Sequence, residues 1–301
     1  MPATPLWALF LPAQYDLSWT PKGPLFGLDP TTFENIRIIG PVAAIVLAVM
    51  GTPLLLFARD HPKTGKSIWK AFSDSGSYVV GLPKQLKRHP NAARFIFTRM
   101  IYADGSVAMN LFIGIYAAGV MGWGAVEVLV FGIMRLAFMI AGPMVSVVLE
   151  ERLGSKRAIE IGLFAMIIVL TGLIGSGPDQ MFFFWRGGEA MTMPIWTFPI
   201  FQTIPELVFL GFACCTGLFQ VVITTSSRSF LTQITPPKES GAFFGLYAMA
   251  STATAWVGPL AIGFFTYLTG TQQGGFAPVV LFFVAGLIGL AFVKRSDAAS
   301  V

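Results

Sequence analysis

The sequence predicts an all-α integral membrane protein of about seven transmembrane helices, and three observations carry that prediction. Hydrophobic residues make up 54% of the chain and charged residues only 12%, against roughly 25% charged in an ordinary soluble domain. The apolar residues are gathered into runs of about 20, the length an α-helix needs to cross roughly 30 Å of hydrocarbon. Most of the basic residues sit between these runs. The formal charge of +5 therefore reads as a topological bias toward one membrane face, and the expected partner is a lipid bilayer; no aromatic-interleaved basic patch points to nucleic acid.

Residues 1–36 contain Pro12, Pro21, Pro24 and Pro30 and no basic n-region, so they read as an extracytoplasmic loop and not as a cleavable signal peptide. Residues 37–58 carry no charge beyond Arg37 and form the first span, with Pro41 and Pro53 tolerated as membrane helices tolerate them. Residues 59–92 are strongly basic and read as a cytoplasmic linker with interfacial helices. Residues 93–295 hold six further spans: Arg94–Gly119, Val126–Leu149, Ile161–Gly175, Leu207–Thr225, Phe243–Tyr267 and Phe276–Val293. The fourth span is short unless its helix begins in the preceding basic turn. Gln180–Gln202 is aromatic and proline-interrupted, which suits an interfacial loop with a tryptophan belt. Residues 296–301 form a tail. Placing the 59–94 connection inside puts 15 of the 20 Lys and Arg on the cytoplasmic side, 3 outside and 2 within spans, so the C-terminus is expected in the cytoplasm.

Polar residues inside these spans are the functional suspects. An Arg or Asp near a helix centre costs roughly 2.5 to 3.5 kcal/mol on insertion scales, so such residues face a bundle interior or an aqueous path. On the second span Arg99, Ser106 and Asn110 fall within roughly 20° of one another, while Asp104 lies about 140° from Arg99. Gly105 after Asp104 reads as a local break, a device transporters use at binding sites. The alternatives are that Arg99 snorkels to the membrane surface and that Asp104 bonds a neighbouring helix. Arg135, deep in the third span, is a candidate partner for an anionic substrate or for Asp104. Gln220, Thr224 and Arg228 recur every four residues as one polar stripe of the fifth span, a pathway wall or a packing stripe. Gly241 and Gly245 form a G-x-x-x-G in the sixth span, read as close helix packing. Cys214 and Cys215 read as packing residues. Neither a metal site nor a cofactor is expected, and no spacing for nucleophilic or metal catalysis supports an enzyme.

The connection Val147-Val-Leu-Glu-Glu-Arg-Leu-Gly-Ser-Lys-Arg157 resembles the cytoplasmic loop motif of the major facilitator superfamily, with Leu149, Glu151, Arg152, Gly154, Lys156 and Arg157 at matching positions. Three further stretches look like its autophagy-related vacuolar-effluxer branch: Ile38-Ile-Gly-Pro41; Tyr102-Ala-Asp-Gly105 with Gly114-Ile-Tyr-Ala117; and Gly217-Leu-Phe-Gln220 through Ser226-Ser-Arg-Ser229 to Gly241–Tyr247 and Gly258-Pro259.

The resemblance implies that residues 37–58 are helix six and residues 93–295 helices seven to twelve of a twelve-helix secondary transporter. It also implies a charge clamp in the Glu151–Arg157 loop and a small solute, amino acids among the candidates, moved by alternating access with a coupling ion, proton or sodium. Helices one to five would come from another polypeptide. The other reading is a truncated, non-transporting membrane protein that assembles with such an N-terminal half. The expected residence is a bacterial inner membrane.

Overall fold

The computed structural model describes residues 37–57, 86–185, 193–197, 200–237 and 239–294. The N-terminal loop, most of the basic linker, part of the aromatic loop and the C-terminal tail lie outside the described residues. Seven spans among those described are long and apolar enough to cross a membrane, as the all-α reading requires.

Two compact units divide the chain at Val79–Val80. The first contributes α1, Ile39–Phe57, whose Thr52 hydroxyl donates to the Ala48 carbonyl at 2.7 Å one turn before Pro53. The second contains α2 (Pro90–Met121), α3 (Ala125–Leu153), α4 (Ser155–Ile174), α5 (Ile204–Ile234), α6 (Ser240–Ala253), α7 (Val257–Thr269) and α8 (Gln272–Ala291).

Local chemistry sets the ends of these helices. Pro90 opens α2 where its missing N–H costs nothing, and Gly122, at φ +70°, closes it in the left-handed region that favours glycine. A single residue, Gly154 at φ +84°, separates α3 from α4, so α4 does begin in the basic turn. Thr203 and Glu206 form a reciprocal capping box that starts α5 three residues before the expected Leu207.

α5 is the central strut of one side, packed against α3 and α4, while α8 packs along α2 and α7. Glycines let these pairs approach. A Cβ on Gly142 of α3 would lie 2.6 Å from Val221 Cβ, and one on Gly162 of α4 would lie 2.8 Å from Ile223. Gly105 meets Phe282 of α8 in the same way, and Gly286 of α8 meets Tyr102. The core is aromatic at the α2–α3 turn, where Trp123 packs edge-on to Phe201 and Phe209 and its indole donates to Glu206 at 3.3 Å. The opposite end is tied by Asn91, whose carboxamide donates to the Lys294 carbonyl and accepts from its N–H at 2.9 and 2.7 Å. The outward face of α3, with Ile140 and Met144 about 70% exposed, stays apolar. In a bilayer such a surface has no need of burial.

Two sequence expectations are corrected. α2 runs unbroken through Asp104 and Gly105. Gly105 is there for close contact with Phe282, and the backbone continues helically because nothing in that contact removes an N–H. The interruption falls in the sixth span, where α6 ends at Ala253 and α7 begins at Val257. A Cβ added at Gly241 or Gly245 would have no atom within 4 Å, so both glycines face outward, and the close contact of that span is made by Gly258.

Candidate functional site

Arg99, Tyr102, Ser106 and Asn110 lie on one face of α2. With Gln220, Ile223, Thr224 and Ser227 of α5 and Ser251, Thr252 and Ala255 of α6 and its break, they line a cavity of about 350 Å³. The helical-face argument thus holds for Arg99, Ser106 and Asn110, and the α5 stripe faces the same space through Gln220 and Thr224. Arg228, the third member of that stripe, is exposed and does not line the cavity.

The guanidinium of Arg99 lies 3.5 Å from the centroid of the Tyr247 ring and donates from Nη1 to the Tyr247 carbonyl at 3.1 Å. This cation–π seat holds the charge at the cavity without neutralising it. Beside it, Tyr102 and Ser227 are 2.7 Å apart. Because the Ser227 proton is committed to the Ile223 carbonyl at 2.6 Å, the phenol is the donor. Gln220 donates from Nε2 to Thr224 at 3.3 Å, which leaves its Oε1 buried and without a hydrogen-bond partner among the described residues.

Arg135 reaches toward the same region from α3. Its Nη2 donates to Asn110 Oδ1 at 2.6 Å and its Nε to the Thr216 hydroxyl at 3.2 Å. It does not bond Asp104. The rotation of about 140° between the Arg99 and Asp104 faces of α2 makes that pairing unreachable. Asn110 and Arg135 also border a second, largely apolar groove of about 780 Å³ between α2 and α3, lined by Leu111, Gly114, Val128, Gly132 and Leu136. Neither Arg99 nor Arg135 has a carboxylate ion-pair partner among the described residues.

Asp104 is turned away from the cavity. It is only 4% exposed and accepts a hydrogen bond from the Thr254 hydroxyl at 2.9 Å. Thr254 is the residue at which α6 ends, so this carboxylate touches the broken span.

The connecting loop carries its anchored acid one position earlier than expected. Glu151, Arg152 and Arg157 are exposed, and Lys156 pairs with Glu160 one turn on at 3.5 Å. Glu150 instead accepts from Ser146 and Ser155, each at 3.0 Å, while Ser146 contacts Ser226 at 2.9 Å and Ser155 reaches Ser229 at 3.3 Å and accepts from Gln233 at 2.8 Å. These hydroxyls bind α3, α4 and α5 together around one carboxylate. The Ser226-Ser-Arg-Ser229 stretch is visible in the sequence, but its spacing alone names no acid for it to meet. Tyr247, Thr216 and Thr254 escape sequence reasoning likewise, because each acts through a residue distant in the chain.

Comparison with known proteins gives the chain a family. The chain is 23% identical over 292 residues to Autophagy-related protein 22 from each of two strains of Cryptococcus neoformans var. neoformans serotype D, an alignment covering 92% of this chain and 48% and 50% of those proteins. It is also 30% identical over 79 residues to the Uncharacterized MFS-type transporter YxiO of Bacillus subtilis, covering 26% of this chain and 18% of that protein. The chain thus spans about half the length of its fungal relatives. Residues 25–300 match the family described as "Vacuole effluxer Atg22 like", and with nearly the whole chain inside that match, this protein belongs to the Atg22-like vacuole effluxer family.

Proposed function

We propose that the chain is the C-terminal portion of a secondary active transporter of the major facilitator type, which moves a small solute bearing an anionic group by alternating access. The observation that carries this reading is a pair of guanidinium groups held by neutral partners only, Arg99 lining the polar cavity and Arg135 bonded to Asn110 at its border with the neighbouring groove. Charge placed inside a spanning bundle is costly and is retained where it serves a ligand or an ion path. A carboxylate entering the cavity would meet Arg99 and the Tyr102 and Ser227 hydroxyls, and a donor on the solute would satisfy the buried Gln220 Oε1. Amino acids, the solutes the family resemblance implies, carry both groups.

In this reading residues 37–58 serve as the sixth helix of the whole transporter and residues 93–295 as its C-terminal half, with equivalents of helices one to five closing the cavity from the other side. The Lys and Arg bias supports a cytoplasmic location for the end bearing Asn91, Glu150 and Lys294. A gradient of a coupling ion, proton or sodium, drives the cycle.

The test is uptake of labelled amino acids into proteoliposomes holding this chain together with the five-span product of a neighbouring reading frame. Uptake is expected with both polypeptides and is expected to fall at least tenfold in Arg99→Gln and in Arg135→Gln. Uptake unchanged in the double substitution removes the site. Stable assembly of the two polypeptides with no uptake of any solute favours the non-transporting reading.

A further inference from the structure

We propose that Asp104 is the site at which this protein takes up a proton, and that protonation reverses its hydrogen bond with Thr254 and so changes how α6 ends at the break in the sixth span. The proposal rests on the transporter reading for its use as a coupling step, but the chemistry stands on geometry that lies outside the solute cavity.

The Thr254 hydroxyl has one proton and two acceptors in reach, Asp104 Oδ1 at 2.9 Å and the Ala250 carbonyl one turn back at 3.3 Å. While Asp104 is ionised it can only accept, so the hydroxyl proton points at the carboxylate. Once Asp104 binds a proton from water, its acid O–H becomes the donor and Thr254 Oγ1 the acceptor. The hydroxyl proton then turns to the Ala250 carbonyl. One proton is gained, no covalent bond is made or broken elsewhere in the chain, and the pair keeps its contact with the donor and acceptor exchanged. The result is that Thr254 back-bonds to α6 as Thr252 already does to Ala248 at 3.0 Å.

The break is built so that this exchange matters. On its far side α7 is seated directly on α2, where a Cβ at Gly258 would stand 2.6 Å from the Asp104 carbonyl oxygen. On its near side α6 presents Gly241 and Gly245 to open space. The Asp104–Thr254 bond therefore joins α2 to the first half of the span close to the point where Gly258 of the second half sits on the same residue.

No neighbouring charge competes for the proton. α8 carries no titratable residue, α7 only Tyr267, which is 85% exposed, and α6 only Tyr247, whose ring holds Arg99. On α5, Glu206 is engaged by Thr203 and Trp123, Cys214 lies in the bundle, Cys215 is half-buried, and Arg228 is exposed. On α3, Arg135 is held by Asn110 and Thr216, Glu150 by its serines, Glu151 and Arg152 are exposed and Glu127 lies in the first turn. On α2 itself Arg99 and Tyr102 face the cavity and Tyr116 stacks on Phe276.

A proton fits this site better than sodium. Hard cations take several oxygen ligands, and three carbonyls at the break already accept a hydrogen bond. Thr252 accepts from Ala255 at 3.4 Å, Thr254 from Val257 at 2.8 Å, and Ala253 from the Trp256 indole at 3.1 Å. Where α8 meets Gly105, beside Asp104, it offers the side chains of Phe282 and Phe283 and a single oxygen, the Val279 carbonyl within the helix.

The experiment is pH-difference infrared spectroscopy on the full chain in lipid nanodiscs, which needs no transport. Acidification is expected to raise a carbonyl band of a protonated, buried carboxylic acid; Asp104→Asn loses it, Thr254→Val shifts it, and Thr254→Ser leaves it in place. The absence of such a band, or a band unmoved by Thr254→Val, overturns the proposal. Should Asp104→Asn not fold, Thr254→Val decides, since it keeps the acid. In vesicles with both polypeptides, solute movement in Asp104→Asn is expected to lose its dependence on a pH gradient; a retained dependence overturns the coupling role. Wild-type vesicles that move no solute count against the transporter reading alone, and the spectral result then decides for Asp104.

Discussion

Gly258→Ala measures how closely the second half of the sixth span sits on α2. The added Cβ would lie 2.6 Å from the Asp104 carbonyl oxygen and 2.7 Å from Ala108 Cβ. Close C···O contacts begin at about 3.3 Å and carbon pairs are best separated by about 3.5 Å or more. α7 would have to back away by roughly 0.7 Å, and the obstructing atoms are backbone and a Cβ that cannot rotate aside. Overpacking of this kind costs about 1–3 kcal/mol, offset by the roughly 0.5–1 kcal/mol that Ala gains over Gly within a helix. The net loss, centred on about 1 and at most about 2.5 kcal/mol, lowers Tm by roughly 2–4 °C per kcal/mol for a unit of this size. Gly245→Ala is the matched control: nothing lies within 4 Å of its Cβ, so only the helix gain remains and Tm rises by roughly 1–4 °C. Thermal unfolding of both variants in one detergent, followed by size exclusion, gives the comparison. If Gly258→Ala is as well tolerated as Gly245→Ala, α7 is not seated on α2 as described, and the fixed side of the break is lost with it.

Three more tests are independent. Glu150→Gln leaves the Ser146 and Ser155 hydroxyls with a weaker acceptor and should cost about 1–3 kcal/mol in the same assay, whereas the exposed Glu151→Gln should stay within about 0.5 kcal/mol; equal effects would show that the loop does not single out Glu150. Arg135→Lys keeps the charge but gives up the fork that bonds Asn110 and Thr216 together, so a tenfold or larger loss of uptake with unchanged Tm is expected, and full activity would mean that charge alone suffices. Thr203→Ala removes the capping box of α5 at a cost of about 1 kcal/mol; an unchanged unfolding midpoint would place the start of α5 under other control.

Membrane residence, the number of spans and their approximate ends were legible because they follow from hydropathy and length, which are local quantities. The face shared by Arg99, Ser106 and Asn110 was legible too, since helical rotation alone sets it, and the same arithmetic already separated Asp104 from Arg99. The capping box at Thr203 and Glu206 could have been read from spacing and was not. What the linear chain could not decide was every choice among partners. Gly105 next to a buried acid looks like a hinge, and only the position of Phe282 makes it a contact point, while the true interruption at Thr254–Trp256 does have a local signal in Gly258-Pro259, since Pro259 has no N–H to give the Ala255 carbonyl. Two adjacent glutamates near the end of α3 are chemically alike, and the helix rotation that turns Glu150 rather than Glu151 toward four serines depends on how α3, α4 and α5 pack. Composition and periodicity thus determined that this chain is a bundle in a membrane and which residues were costly there; tertiary packing alone decided which of those residues meet, because hydrogen-bond and cation–π partners are chosen by distances of a few ångströms between helices far apart in sequence.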